Sequence, residues 1–265
     1  MSPSYESIRV HRDGAVARIE LHRPDALNAW TPDMGRELLD AVRTASADPE
    51  ARAILITAAG RAFSAGADVK VPRELTPDGD PDLQVRLREI YNPIVLEIRR
   101  APKPVIAAVN GVAAGLGVSL ALACDLIVAA ESAYFLLAFV HIAVMPDGGL
   151  TFNLPARIGY ARAAQLAMLG ERLPAARALE WGMINAVHPD DELRAEADAL
   201  AARLAAMPTV AIASMKEAMD VAVNRGLAEH VELEATLQQR HATTADYAEG
   251  VTAFKEKRRP AFTGR

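Results

Sequence analysis

Apolar and polar residues fall along the chain in short blocks whose period changes repeatedly. Ile8 and Val10, then Val16, Arg18 and Glu20, flank Arg12-Asp13-Gly14. Strand-like runs on either side of a turn signal predict a hairpin. Arg23-Pro24-Asp25 breaks the pattern. Thr31-Pro32 then marks a helix start, since proline is pre-organised for the first helical position, and Met34, Leu38, Leu39 and Val42 follow at helical spacing. Residues 53–57 form a short apolar run typical of a buried strand, closed by Gly60. A stretch rich in Pro and Asp, from Pro72 to Asp82, predicts a mobile loop. A helix is expected over residues 83–99, stopped by Pro102 and Pro104, before a second buried strand at residues 105–109.

The order strand, glycine loop, helix then recurs. Gly111 to Gly117 leads into a helical run over 118–124, residues 126–129 read as a strand, and the apolar stretch 133–144 holds another. Pro146-Asp147-Gly148-Gly149 opens a helix. Beyond about Glu192 strand patterns cease. Leu193, Ala197, Leu200 and Leu204 mark an amphipathic helix, Pro208 breaks it, and further helices are expected through Met219 and from Leu227 to about Tyr247. Such alternation predicts an α/β core with both faces of its sheet covered. The core is assigned to residues 1–191, and a helical segment at 192–265 is expected to pack on it or on a neighbouring subunit.

Composition narrows the class. The chain has 265 residues, 51% of them hydrophobic, which is ample for a large core without staples. Cys124 is the single cysteine, so no intrachain disulfide can form and a reducing, cytoplasmic setting is expected. A net charge of −5 argues against a nucleic-acid partner. Met1 to Arg12 lacks the apolar run of a secretory signal. The most membrane-like stretch, 105–123, carries Asn110 and three glycines and follows two prolines, so no membrane span is expected.

Two small-residue loops are the candidate chemistry. Ala62-Phe63-Ser64-Ala65-Gly66-Ala67-Asp68-Val69-Lys70 follows the first buried strand, and Asn110-Gly111-Val112-Ala113-Ala114-Gly115-Leu116-Gly117 follows the second. Gly and Ala let a ligand approach the main chain, and a loop that feeds a helix adds the positive end of its dipole. Two such loops after two strands of one sheet could aim two N–H groups at a single oxygen, as an oxyanion hole does. Tight backbone packing is the plain alternative for either loop alone.

In order and with their flanks, Arg23-Pro24-Asp25-Ala26-Leu27-Asn28-Ala29, Ala62–Lys70, Lys103-Pro104-Val105-Ile106-Ala107-Ala108-Val109-Asn110-Gly111 and Cys124-Asp125 resemble the crotonase (enoyl-CoA hydratase/isomerase) superfamily. Ala253-Phe254-Lys255-Glu256-Lys257-Arg258-Arg259 resembles its C-terminus. The resemblance spans nearly the whole chain. It implies a spiral of ββα units, a C-terminal helical trimerisation domain, and trimers that often pair as hexamers. It also implies acyl-CoA thioester substrates, with no metal and no cofactor beyond the coenzyme A that enters with the substrate. By position, the backbone N–H groups of Ala67 and Leu116 would form the oxyanion hole. Asp25, Ala26, Leu27, Ala65, Asp68 and Val69 would lie along the CoA. Phe254 and Lys257, from a neighbouring subunit, would reach its adenine and phosphate end. Leu116 departs from the family's usual glycine, which a main-chain donor tolerates if the backbone angles suit leucine.

The carboxylates discriminate between reactions. Family hydratases use two glutamates, and the corresponding positions are Ser119 and Phe139. Neither residue replaces a carboxylate, so efficient hydration is not expected. Asp147 lies where some family isomerases carry a catalytic aspartate, and Pro146–Pro155 resembles the ring-epoxide phenylacetyl-CoA isomerase and dienoyl-CoA isomerase branches. Asp147 has a plain alternative as a helix N-cap. Phe139 and Tyr134 are expected to line an apolar acyl pocket, His141 to be a packed histidine, and Asp125 to tie down a turn. The leading expectation is an acyl-CoA double-bond or ring isomerase with Asp147 as its single acid/base. A non-catalytic acyl-CoA-binding protein, a weak hydratase or another enolate reaction are the rivals.

Overall fold

The computed structural model describes residues 5–68, 70–72, 74–79, 82–142, 144–222, 244–256 and 258–265. The hairpin forms as β1 (Ile8–Asp13) and β2 (Val16–Leu21), antiparallel with Asp13 opposite Val16. Thr31 caps α1 (Pro32–Ala47), its hydroxyl accepting from the Met34 N–H at 3.1 Å. This bond satisfies one of the orphan donors of the first turn.

From there each circuit of the chain lays one strand on a large sheet, one on a small sheet, and then a helix. The first circuit is β3 (Ala53–Ala58), β4 (Ala62–Ser64), then α2 (Leu83–Arg86) and α3 (Asn92–Arg100), joined through a wider π turn at Leu87–Tyr91. The second is β5 (Val105–Val109), β6 (Val112–Ala114) and α4 (Leu116–Ala123). The third is β7 (Leu126–Ala130), β8 (Tyr134–Leu136), a 3-10 turn at Ala138–Ile142 and α5 (Leu150–Ile158). After α6 (Tyr160–Leu169), β9 (Arg172–Pro174) closes the small sheet, and α7 (Ala175–Glu180) leads to β10 (Ala186–His188), which closes the large one.

The large sheet runs β1-β2-β3-β5-β7-β10 and the small one β4-β6-β8-β9. All neighbouring pairs are parallel except β1 with β2 and β8 with β9. Parallel pairing requires a crossover between strands, and here the crossover includes the second strand as well as the helix. β5 is buried along its whole length, as a strand covered on both faces must be. All eight residues of α4 are buried, so this helix runs through the core.

The helical segment expected from residue 192 begins with a helix that belongs to the core. α8 (Leu193–Ala205) lies across β2, β3, β5, β7 and β10 and buries Ala197, Ala201 and Ala205 in the same cluster as the sheet. α9 (Thr209–Ala222) follows, anchored where Lys216 Nζ meets the Asp125 carboxylate at 2.9 Å and the Ile98 carbonyl at 2.7 Å. Asp125 also accepts from the Val105 N–H at 2.8 Å, so it joins β5, β7 and the C-terminal helices at one point. The helix expected from Leu227 falls mostly in 223–243, outside the described residues; α10 (Ala245–Glu256) resumes the chain. Among the described residues no single helix is long and apolar enough to cross a membrane. α8 and α9 reach that composition only as a pair bent by 101°.

Two local expectations change. His141 is exposed on the 3-10 turn, its ring lying against Gly170 at the surface and not within the core. In the Pro72–Asp82 stretch, Glu74 pairs with the buried Arg86 at 2.6 Å and its carbonyl accepts from Asp82 N–H, so specific contacts tie part of it down.

Candidate active site

The two small-residue loops leave β4 and β6, adjacent parallel strands of the small sheet, and therefore emerge side by side. The first loop is held by the segment before α1. Asn28, buried and in the left-handed region at φ 53°, donates from its amide to the Ala59 and Ala62 carbonyls at 2.9 and 2.8 Å. The Ser64 hydroxyl donates to the Asn28 carbonyl at 2.8 Å and accepts from the Gly66 N–H at 3.1 Å. Trp30 N–H reaches the Gly66 carbonyl at 2.8 Å, and Asp68 N–H reaches the Trp30 carbonyl at 2.9 Å. These bonds use the backbone on either side of Ala67, so its own N–H points to the opposite side. Asp68 pins the loop further: it accepts from Lys70 N–H at 3.1 Å and faces Arg23 at 3.4 Å.

The second loop turns at Gly115, whose φ of 51° precedes the first residue of α4, Leu116. Among the described residues, neither the Ala67 N–H nor the Leu116 N–H donates to another group. Contact between the loops is close. A β-carbon on Gly66 would lie 2.8 Å from the Ala114 carbonyl oxygen and 3.4 Å from Leu116 N. One on Gly117 would lie 2.6 Å from the Ser64 carbonyl oxygen. Glycine at these positions is what allows the N-terminus of an eight-residue helix to approach the first loop.

Asp147 precedes α5, but the helix begins at Leu150 with Gly149 at the N-cap position and no side-chain cap hydrogen bond. The offset of two residues leaves the Asp147 carboxylate out of the capping position, and one of its oxygens is screened from solvent. Its segment abuts the second loop: a β-carbon on Gly148 would lie 2.8 Å from Ser119 Cβ and 3.4 Å from Leu116 Cδ2. The Ser119 hydroxyl donates to the Asp147 backbone carbonyl at 3.0 Å. Phe139 is buried, with its ring tip beside Gly115. Tyr134 lies beneath the Arg172 guanidinium, 4.8 Å from the ring centroid.

With Asp68 turned to Arg23, the remaining sequence-derived candidates fall into three groups. Ala67, Leu116, Phe139 and Asp147 surround the paired loops. Asp25, Ala26, Leu27 and Ala65 form one accessible edge, since Ala65 N–H bonds the Leu27 carbonyl at 2.9 Å. Val69, Lys257 and the side chain of Phe254 lie outside the described residues. Residue types alone missed Asn28 and Ser64 as the framework of the first loop. The available signal was Asn beside a proline turn, a residue that tolerates left-handed backbone. Among the described residues, no three His, Cys, Asp or Glu side chains gather where they could hold a metal ion.

Two sheets coiled by repeated ββα circuits, with adjacent glycine loops opening onto a core helix, define the chain as a crotonase-fold protein. A crystal structure of an enoyl-CoA hydratase subunit I from Geobacillus kaustophilus superposes with a TM-score of 0.90 at 38% identity, covering 98% of this chain and 99% of that one. The sequence profile described as enoyl-CoA hydratase/isomerase matches residues 11–265, and the chain belongs to that family. It is 42% identical over 261 residues to 1,2-epoxyphenylacetyl-CoA isomerase of Escherichia coli, covering 98% of this chain and 99% of the relative. It is equally 42% identical over 265 residues to a protein of Rhodobacter capsulatus named as a probable enoyl-CoA hydratase, covering 99% of this chain and all of the relative.

Proposed function

We propose that this chain is an acyl-CoA double-bond or ring isomerase that works through a thioester enolate, with Asp147 as its single acid/base. The observation that carries the reading is the contact of Gly148 with Ser119 and Leu116, which sets the Asp147 segment against the start of α4. The Ala67 and Leu116 N–H groups serve as the oxyanion hole, and each such donor is worth roughly 2.7–4 kcal/mol of transition-state stabilisation. Asp147 takes a proton from a carbon next to the thioester or conjugated with it. The electron pair moves into the thioester carbonyl, whose oxygen the two N–H groups hold. The protonated carboxyl then returns the proton to another carbon of the same dienolate. Base and acid are one group, so the reaction needs no second carboxylate.

The CoA portion lies along Asp25, Ala26, Leu27, Ala65, Asp68 and Val69, with Phe139 against the acyl group. Phe254 and Lys257 of a neighbouring copy approach its adenine and phosphate end. No metal or separate organic cofactor takes part. Self-association as a trimer or a pair of trimers fits the many exposed apolar side chains, among them Ile142, Met145, Tyr160, Met168 and Leu169.

The identity shared with the relative named as a hydratase supports a second reading, slow hydration of 2-enoyl-CoA. A panel of 3-enoyl-, dienoyl- and 2-enoyl-CoA substrates separates the two. Asp147→Asn is expected to lower isomerase kcat by roughly 10²–10⁴ while acyl-CoA affinity persists. Full activity of that variant sinks the acid/base assignment. Rapid hydration by the unaltered protein would show that Ser119 and Phe139 do not disable the hydratase reaction. Tight binding without turnover would instead indicate an acyl-CoA clamp.

A further inference from the structure

We infer that Ser119 is a positioning residue that seats Asp147, so that the former glutamate position is occupied by a latch. The inference rests on the reading of Asp147 as the acid/base. Ser119 lies one turn into α4, three residues beyond Leu116, and is buried. Its single hydroxyl proton has two carbonyls within reach. The Gly115 carbonyl of its own helix is 3.5 Å away, at the limit of a hydrogen bond, whereas the Asp147 carbonyl is at 3.0 Å. The proton therefore goes to Asp147. That bond spans 28 residues and ties the helix bearing one oxyanion donor to the segment bearing the carboxylate.

Steric contact reinforces the bond. Gly148 is at φ +58°, and a β-carbon on it would meet Ser119 Cβ at 2.8 Å and Ser119 Oγ at 2.9 Å. Gly148 and the Asp147 carbonyl rest directly on the Ser119 side chain, with no gap between them. A glutamate at position 119 carries three further heavy atoms, and on the side of Gly148 there is no room for them. A glutamate directed from position 119 toward Gly148 and the present seat of Asp147 thus exclude one another. Serine suits the position because it is short enough to admit Gly148 and still carries one donor for the Asp147 carbonyl.

The test compares Ser119→Ala, Asp147→Asn, the double variant and Ser119→Glu in the full chain, with thermal melting as a check on folding. Substrates are 3-enoyl- and 2-enoyl-CoA, and affinity is measured with a saturated acyl-CoA. Ser119→Ala removes one neutral hydrogen bond, so kcat for isomerisation should fall about five- to tenfold, with KM within about twofold. In the Asp147→Asn background the same substitution should change kcat by less than about twofold, because a latch acts only through what it positions. Ser119→Glu should lose isomerase activity without acquiring rapid hydration.

Unchanged kcat in Ser119→Ala, with Asp147→Asn inactive, overturns the latch and leaves the acid/base reading intact. An equal loss in both backgrounds, or a rise in KM at constant kcat, also overturns it. A Ser119→Glu protein that hydrates 2-enoyl-CoA and still isomerises would show that position 119 has room to spare, contrary to the steric argument. Full activity of Asp147→Asn removes the premise itself, a failure distinguishable from all of these.

Discussion

Gly66→Ala probes the spacing of the two loops directly. A β-carbon at this position meets the Ala114 carbonyl oxygen at 2.8 Å, where an ordinary contact between heavy atoms is about 3.5 Å. The nearest atoms, from Ala114 and Leu116, are all main chain, so no side chain can swing away, and the loops must part by about 0.7 Å. A donor moved that far from an oxygen at about 2.9 Å leaves the hydrogen-bonding range. Losing one oxyanion donor costs roughly 2.7–4 kcal/mol, or about 10²–10³ in kcat. Backbone strain contributes separately, since Gly66 has φ +89°, and a non-glycine residue there costs about 1–2 kcal/mol of stability.

Gly14→Ala isolates that second effect. Gly14 has φ +55° in the β1–β2 turn, with nothing within 4 Å of an added β-carbon. It should lower the melting temperature and leave kcat unchanged. Turnover of acyl-CoA substrates and the infrared shift of the thioester carbonyl on binding are the measurements. In Gly66→Ala both kcat and the carbonyl shift should shrink, with acyl-CoA affinity largely kept. A Gly66→Ala enzyme within about threefold of the parent kcat would refute the assignment of the hole to these two loops.

Two further outcomes follow from burial and exposure. Burial, reinforced by nearby Asp125, pushes the Cys124 thiol from 9.0 to about 12. A raised folded-state value means stability that is fully present below pH 9 and is lost as pH rises from about 9 to about 12. Cys124→Ala should therefore lose stability less steeply than the parent across that window in denaturant titrations, and equal slopes would contradict it. The self-association inferred from exposed apolar side chains predicts a mass in light scattering of three or six times the 28.4 kDa chain. A mass equal to one chain at micromolar concentration would refute it.

Much of the large sheet was legible from local pattern. β5 and β7 are short, continuously apolar runs, β3 is one but for Thr57, and α1 carries its start signal in Thr31-Pro32. The small sheet was not legible as such. β4, β6 and β9 have three residues each and little to distinguish them from loop. They are strands because the coil of the chain sets them beside partners that satisfy their backbone groups. The resemblance to a family implied such ββα units, which periodicity alone did not.

The paired loops show the same division. Their glycines and flanking strands are visible in the sequence, and so are Ser119 and Phe139 at the two positions where the family resemblance implies glutamates. Local composition left Asp147 divided between helix cap and acid/base. Tertiary structure starts α5 two residues later, at Leu150, so that Gly149 and not Asp147 stands at the N-cap position. It also sets Gly148 on Ser119 and brings Gly66 against Leu116, contacts between residues 29 and 50 positions apart. Residue type and spacing determine what each segment can form alone. Which main-chain donors meet, and which side chain holds which carbonyl, depends on the packing of distant segments at van der Waals distance, and a linear pattern does not encode that closeness.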